Sequence, residues 1–248
     1  MQKGEFCGIM DDMDLSELSL PAKEIFSNNF FTITNTLALI FVLSAVLVFI
    51  FYLAFRKREE VPNFLQNFFE WMLESIGGFM DSITQDEKRT KEIFPLAITI
   101  FFLILISNLF ELLPGLGVFS ISRSPSSDLN FGLALSFVAM TTIHFLALRN
   151  LGWLRYSQKF LNFKSAPNFI IGVFEFVGEF TKTISLAFRL FGNLFAGEVI
   201  LTLAYSSIPL LVPVPILFFE IFVGLLQAFI FSTLLVIFYV LACDVLEL

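Results

Sequence analysis

Residues 31–55 carry no charged side chain and stop at Arg56-Lys57-Arg58. A run of that length can cross about 30 Å of hydrocarbon as a helix. In lipid the backbone must satisfy its own hydrogen bonds, which leaves helices or closed barrels as spanning structures. A helix over residues 31–55 is expected. The basic cluster at its end marks the cytoplasmic side and puts the N-terminus outside.

The rest of the chain repeats this logic. Residues 94–113 form a second apolar stretch, closed by Pro114-Gly115, and residues 131–148 return toward Arg149, Arg155, Lys159 and Lys164. Residues 168–205 run without a proline, and residues 216–241 follow a turn, 206–215, that holds three prolines. The fold expected is an all-α membrane protein with about five crossing helices. A helix over 168–205 would measure roughly 57 Å at 1.5 Å per residue, so the last two crossing helices are expected to be long and strongly tilted. Residues 62–83 differ. Phe64, Phe68, Met72, Ile76, Phe79 and Ile83 recur at helical spacing opposite Gln66, Glu70, Glu74 and Asp81. That pattern predicts an amphipathic helix lying along the cytoplasmic interface. Residues 86–91 read as a solvated loop and 115–130 as an outside loop.

In organisation, residues 1–28 are an external acidic tail and residues 29–248 a single transmembrane helical domain. The first apolar run follows an acidic leader and is too long for a signal-peptide core, so no cleavable signal is expected. Composition supports lipid as the solvent: 57% of residues are hydrophobic and only 15% charged, against about 25% in soluble domains. The net charge of −7 does not signal nucleic-acid binding. Cys7 and Cys243 have no metal-type spacing, and neither a phosphate loop nor a nucleophile triad is present. No metal and no cofactor is expected.

Charged residues inside apolar spans carry the functional information. The long helix holds Glu175, Glu179, Lys182, Arg189, Asn193 and Glu198, and the last helix holds Glu220 and Gln227. With Glu175 at the origin and about 100° per residue, Glu179 falls near 40°, Lys182 near 340°, Arg189 near 320° and Asn193 near 0°, a single polar stripe. Glu198 falls near 140°, about opposite Arg189. Glu220 and Gln227, seven apart, share a face. Two polar paths are implied, one along Glu175 and Glu179 from the cytoplasm and one by Glu198 and Glu220 from outside. Arg189 stands between them. Its guanidinium keeps its charge where a lysine would lose its proton. It can therefore attract an arriving carboxylate and block direct proton transfer between the paths. Carboxylates shielded from water can exchange protons near neutral pH.

Other readings stay open at several of these positions. Lys182 and Glu179 also fit a helix-surface pair, Glu175 and Glu111 also fit solvated interfacial groups, and His144 fits a packed or hydrogen-bonded helix residue better than a relay.

The segment Ser185-Leu186-Ala187-Phe188-Arg189-Leu190-Phe191-Gly192-Asn193-Leu194-Phe195-Ala196-Gly197-Glu198 resembles the signature of subunit a of the F-type ATP synthases around its essential arginine. Leu226-Gln227-Ala228-Phe229-Ile230-Phe231 is similar to the family's final-helix motif, and Asn108-Leu109-Phe110-Glu111-Leu112-Leu113-Pro114 to the end of its second crossing helix. The resemblance implies a proton-conducting stator beside a rotating c-subunit ring, held by b-type peripheral stalk subunits. The acidic tail and the 248-residue layout favour a bacterial plasma membrane, and the charge asymmetry puts the C-terminus in the cytoplasm. The resemblance implies no nucleotide-hydrolysing site on this chain. Arg189 would face the ring. Glu198, Glu220, Asn193, Gln227, Asn108 and Glu111 would line the outside half-channel, and Glu175 and Ser185 the cytoplasmic one, which the polar stripe extends to Glu179. The sequence departs from the family in one respect: many members place a histidine at one of the positions matching Glu198 and Glu220, and here both are glutamate. Proton against Na+ is left open. A secondary transporter or stand-alone ion channel is the alternative, but repeated halves and a substrate site on broken helices are not apparent.

Overall fold

A computed structural model describes residues 24–28, 31–56, 64–111, 125–160, 166–207 and 211–244. Its helices are α1 (Asn35–Phe55), α2 (Phe64–Thr84), α3 (Glu87–Glu111), α4 (Leu129–Leu151), α5 (Trp153–Phe160), α6 (Ala166–Ser207) and α7 (Pro213–Asp244). A 3-10 turn, Pro125–Ser127, precedes α4. Five of these helices are long and apolar enough to cross a membrane: α1, α3, α4, α6 and α7. The chain is an all-α bundle of the multi-spanning membrane type.

Three boundaries differ from the sequence reading, each for a local reason. Residues 31–34 are not helical: β2 (Phe31–Thr34) pairs antiparallel with β1 (Glu24–Asn28). The run Phe-Thr-Ile-Thr favours extended backbone, and the helix begins only at Asn35. The supposed loop 86–91 is instead the first turn of α3. The Lys88 N–H donates to Asp86 Oδ1 at 2.9 Å and the Lys91 ammonium to Glu87 Oε1 at 2.6 Å. An acidic residue at a helix start offsets the exposed N–H groups, and an i,i+4 pair supports the turn. The helix expected to end at 148 runs on to Leu151. Gly152, at φ 81°, ends α4 and donates to the Leu148 carbonyl at 2.9 Å. That positive φ suits glycine. The short helix α5 begins at Trp153. The remainder of the expected tail, residues 1–23, lies outside the described residues, as do 112–113 of the expected second span and 115–124 of the expected outside loop.

The core lies among α3, α4, α6 and α7. Ile104, Ile143, Leu186, Leu190, Phe231 and Leu235 are almost fully buried there. α3 packs chiefly on α7, and α4 chiefly on α6. Close approach of α4 and α6 depends on Gly132, where a Cβ would stand 3.1 Å from the Ala187 carbonyl oxygen. The apolar side of α2 meets α3 and α7 through Ile76, Met80 and Phe79, whose ring lies 5.0 Å from that of Phe229. α1 is the most peripheral helix: Phe41, Val48 and Phe49 are exposed, as lipid-facing residues are. Its N-terminal end is tied in by Thr36, whose hydroxyl donates to the buried Asp128 carboxylate at 3.0 Å.

Candidate functional site

The arginine region is built on the packing of α6. Leu186, Ala187, Leu190 and Leu194 lie on one face and are buried. Arg189 is on neither this face nor the opposite one, where Phe188 is exposed. It is half-buried and lines a groove of ≈ 390 Å³ between α6 and α7, with Lys182 and Ser185 before it and Leu234 and Phe238 across from it. The two residues Ser185 and Arg189, four apart, thus share a groove. Among the described residues no carboxylate pairs with Arg189.

One turn further along α6 the character changes from apolar to polar. Asn193 Nδ2 donates to Gln227 Oε1 of α7 at 2.7 Å. On α7, Glu220, Gly224 and Gln227 fall on one face at i, i+4 and i+7. Asn108 of α3 reaches the same face: its Nδ2 donates to the Gly224 carbonyl at 3.0 Å. A Cβ on Gly224 would stand 3.1 Å from Cβ of Asn108, so glycine there lets α3 come close. Glu220 lies against Gly197 of α6, where a Cβ would collide with Oε1 of the carboxylate. Glu198, half-buried, is the next residue. Among the described residues, four side-chain atoms in this interface are buried without a hydrogen-bond partner: Glu220 Oε1 and Oε2, Asn108 Oδ1 and Gln227 Nε2. Buried polar atoms are nearly always satisfied, and a row of exceptions requires a reason. Glu111 closes α3, and its side chain lies outside the described residues.

Toward the other end of α6 the polar stripe divides between two sides. Glu179, buried, lines a cavity of ≈ 530 Å³ between α4, α5 and α6, together with His144 and Tyr156. Lys182 lines the Arg189 groove instead. The pair is joined by an ion pair, Lys182 Nζ to Glu179 Oε1 at 3.1 Å. Glu175 is half-buried one turn before Glu179. His144 Nδ1 and the Tyr156 hydroxyl share a hydrogen bond of 2.6 Å, so the histidine is a bonded helix residue. Burial, with Glu179 facing it, pushes the Tyr156 phenol up from its ordinary value and keeps it protonated.

The sequence reading missed several polar residues that the tertiary structure brings together. Ser107, beside Asn108, accepts from the Ser126 hydroxyl at 2.7 Å. Glu92, Asn150 and Tyr239 form a bonded group joining α3, α4 and α7. A polar residue in an apolar helix was the available signal for Asn150 and Tyr239, but each sits near a helix end, where such residues are ordinary.

The family described as ATP synthase A chain matches residues 37–240. The chain is 34% identical over 210 residues to ATP synthase subunit a of Moorella thermoacetica, covering 84% of this chain and 88% of that one. It is 34% identical over 185 residues to ATP synthase subunit a 1 of Syntrophotalea carbinolica, covering 74% of each. With ATP synthase subunit a, sodium ion specific, of Propionigenium modestum it shares 35% over 222 residues, covering 84% and 73%. A helical bundle with five candidate spans, a buried polar interface and matches of this extent lead to one conclusion: the chain belongs to the ATP synthase subunit a family, a non-catalytic component of the F-type membrane sector with a proton-channel role.

Proposed function

We propose that this chain is the proton-conducting stator of a rotary F-type ATP synthase, with two half-channels separated by Arg189. The supporting observation is the row of buried, unpartnered polar atoms on Asn108, Glu220 and Gln227, which lies on one side of Arg189. Such a row suits water and mobile protons better than it suits a dry core. In this reading Glu198, Glu220, Asn193, Gln227, Asn108 and Glu111 line the outside half-channel, and Glu175, Glu179 and Ser185 the cytoplasmic one. The N-terminus is outside, the C-terminus is cytoplasmic and α2 lies along the cytoplasmic interface. The partners are a c-subunit ring and b-type stalk subunits.

In this reading each residue has a task. A ring carboxylate that has released its proton is drawn to Arg189, which no carboxylate among the described residues neutralises. The guanidinium holds its protons too tightly to pass one on, so it divides the two paths. On the outside path Glu198 and Glu220 act as a coupled pair that exchanges protons with the ring. The Asn193–Gln227 bond carries that path to within one turn of Arg189. On the cytoplasmic path the Lys182–Glu179 ion pair holds the carboxylate between the Arg189 groove and the α5 cavity.

The test is Arg189→Ala in the whole complex, reconstituted in vesicles. ATP-driven proton pumping should be lost; unchanged pumping would defeat the proposal. Because one relative is named sodium ion specific, the vesicles are assayed with and without Na+. Proton pumping that is equal in both assigns the proton.

A further inference from the structure

The group formed by Glu92, Asn150 and Tyr239 has no place in the two paths, yet it joins three helices through one set of hydrogen bonds. Tyr239 is fully buried on α7. Its hydroxyl donates to Glu92 Oε2 of α3 at 2.8 Å and accepts from Asn150 Nδ2 of α4 at 2.9 Å. Asn150 Nδ2 also donates to the same Glu92 oxygen, at 2.5 Å. Three helices therefore meet in a three-membered ring of hydrogen bonds. The three residues are far apart in sequence, with Tyr239 and Glu92 separated by 147 positions.

The consequence lies one residue away. Phe238 precedes Tyr239 and, about 100° around the helix, lines the Arg189 groove with Leu234. The Lys182 ammonium stands 5.3 Å from the centre of the Phe238 ring. Anchoring the Tyr239 hydroxyl helps fix the rotation of α7 about its axis, because in lipid no hydrophobic force joins helices and close packing and interhelical hydrogen bonds set how they meet. Fixing that rotation fixes which residues of α7 face α6.

We infer that the Glu92–Asn150–Tyr239 ring is a positioning device that sets the rotation of α7 and thereby the shape of the groove in which Arg189 works. Glu92 acts here as a hydrogen-bond acceptor rather than as a carrier of charge or protons. The inference rests on the proposed role of Arg189, and the experiment separates the two.

Four variants are compared in the whole complex: Tyr239→Phe, Glu92→Leu, Glu92→Gln and, as reference, Arg189→Ala. ATP-driven proton pumping is measured in vesicles and normalised to the amount of this subunit in the purified complex. Tyr239→Phe keeps the ring and removes only the hydroxyl. It should lower pumping roughly five-fold, the factor expected for losing one net hydrogen bond. Glu92→Leu should lower it at least as much. Glu92→Gln retains an acceptor oxygen for both donors and should restore pumping to near the wild-type rate. Wild-type pumping by Tyr239→Phe would overturn the inference. So would a Glu92→Gln variant as impaired as Glu92→Leu, since charge and not position would then matter. Should Glu92→Leu fail to assemble, Tyr239→Phe and Glu92→Gln still decide. Normal pumping by Arg189→Ala would instead overturn the proposed function, whatever the ring variants do.

Discussion

Gly197→Ala would separate the outside path from the fold. A Cβ at position 197 would collide with Oε1 of Glu220 and lie 3.2 Å from its Cδ and 3.7 Å from its Cγ. The obstructed atom is the tip of a flexible side chain, so α6 and α7 need not part; the carboxyl rotates away. Displacing it from its rotamer costs about 1 kcal/mol. Alanine in place of glycine inside a helix favours the helix by about 1 kcal/mol. These terms offset, and the subunit should accumulate at the wild-type level. The added Cβ excludes the present position, so Glu220 takes the displaced one, which at about 1 kcal/mol higher is populated roughly five-fold less in the wild type. Proton flux should fall by at least roughly that factor. The assay is ATP-driven acidification of inverted vesicles, normalised to subunit abundance by immunoblot. Gly78→Ala in α2 is the control, since no atom lies within 4 Å of its added Cβ. Adding Glu220→Asp to Gly197→Ala shortens the obstructed side chain and should return part of the flux. Wild-type flux in Gly197→Ala at wild-type abundance would refute the reasoning.

Glu198→Gln and Glu220→Gln should each slow proton-driven ATP synthesis, because each removes one member of a coupled carboxylate pair; wild-type synthesis in both would exclude the pair from the path. Gly172→Ala should displace α5 from α6, since its Cβ would collide with the backbone carbonyl oxygen of Phe160, which cannot rotate away as a side chain can. Faster proteolysis between α4 and α6 would report it, and an unchanged cleavage pattern would argue against it. Asp128→Ala removes the side chain that accepts from the Asn130 N–H at the start of α4 and from the Thr36 hydroxyl of α1. The loss should be about 1–2 kcal/mol, seen as a lower thermal unfolding temperature of the detergent-solubilised complex, because both a helix cap and a buried hydrogen bond go.

Much of the architecture is legible in the chain. The interior of each crossing helix follows from its apolar run, because the cost of leaving backbone or charge in lipid is set by local composition. The helix ends are less legible. Asp86 and Gly152 act through backbone geometry over a few residues, which hydropathy does not register. The candidate site divides the same way. Arg189 stands out as a charge in an apolar helix, and the spacing of Glu220 and Gln227 gives their shared face. The wheel also places Glu179 and Arg189 on one stripe, but it cannot tell which neighbouring helix each meets. The structure sends one toward α4 and α5 and the other toward α7.

The sequence by itself determined that this chain spans a membrane, how often its apolar runs can cross, and which charges demanded an explanation. Only the tertiary structure decided their partners. Asn193 meets Gln227 across 34 residues, Asn108 meets Gly224 across 116, and Tyr239 meets Glu92 across 147. Hydropathy is a property of a segment and its solvent, and can be read along the chain. A hydrogen bond between helices depends on the rotation and separation of both, and those are fixed by the packing of all the others.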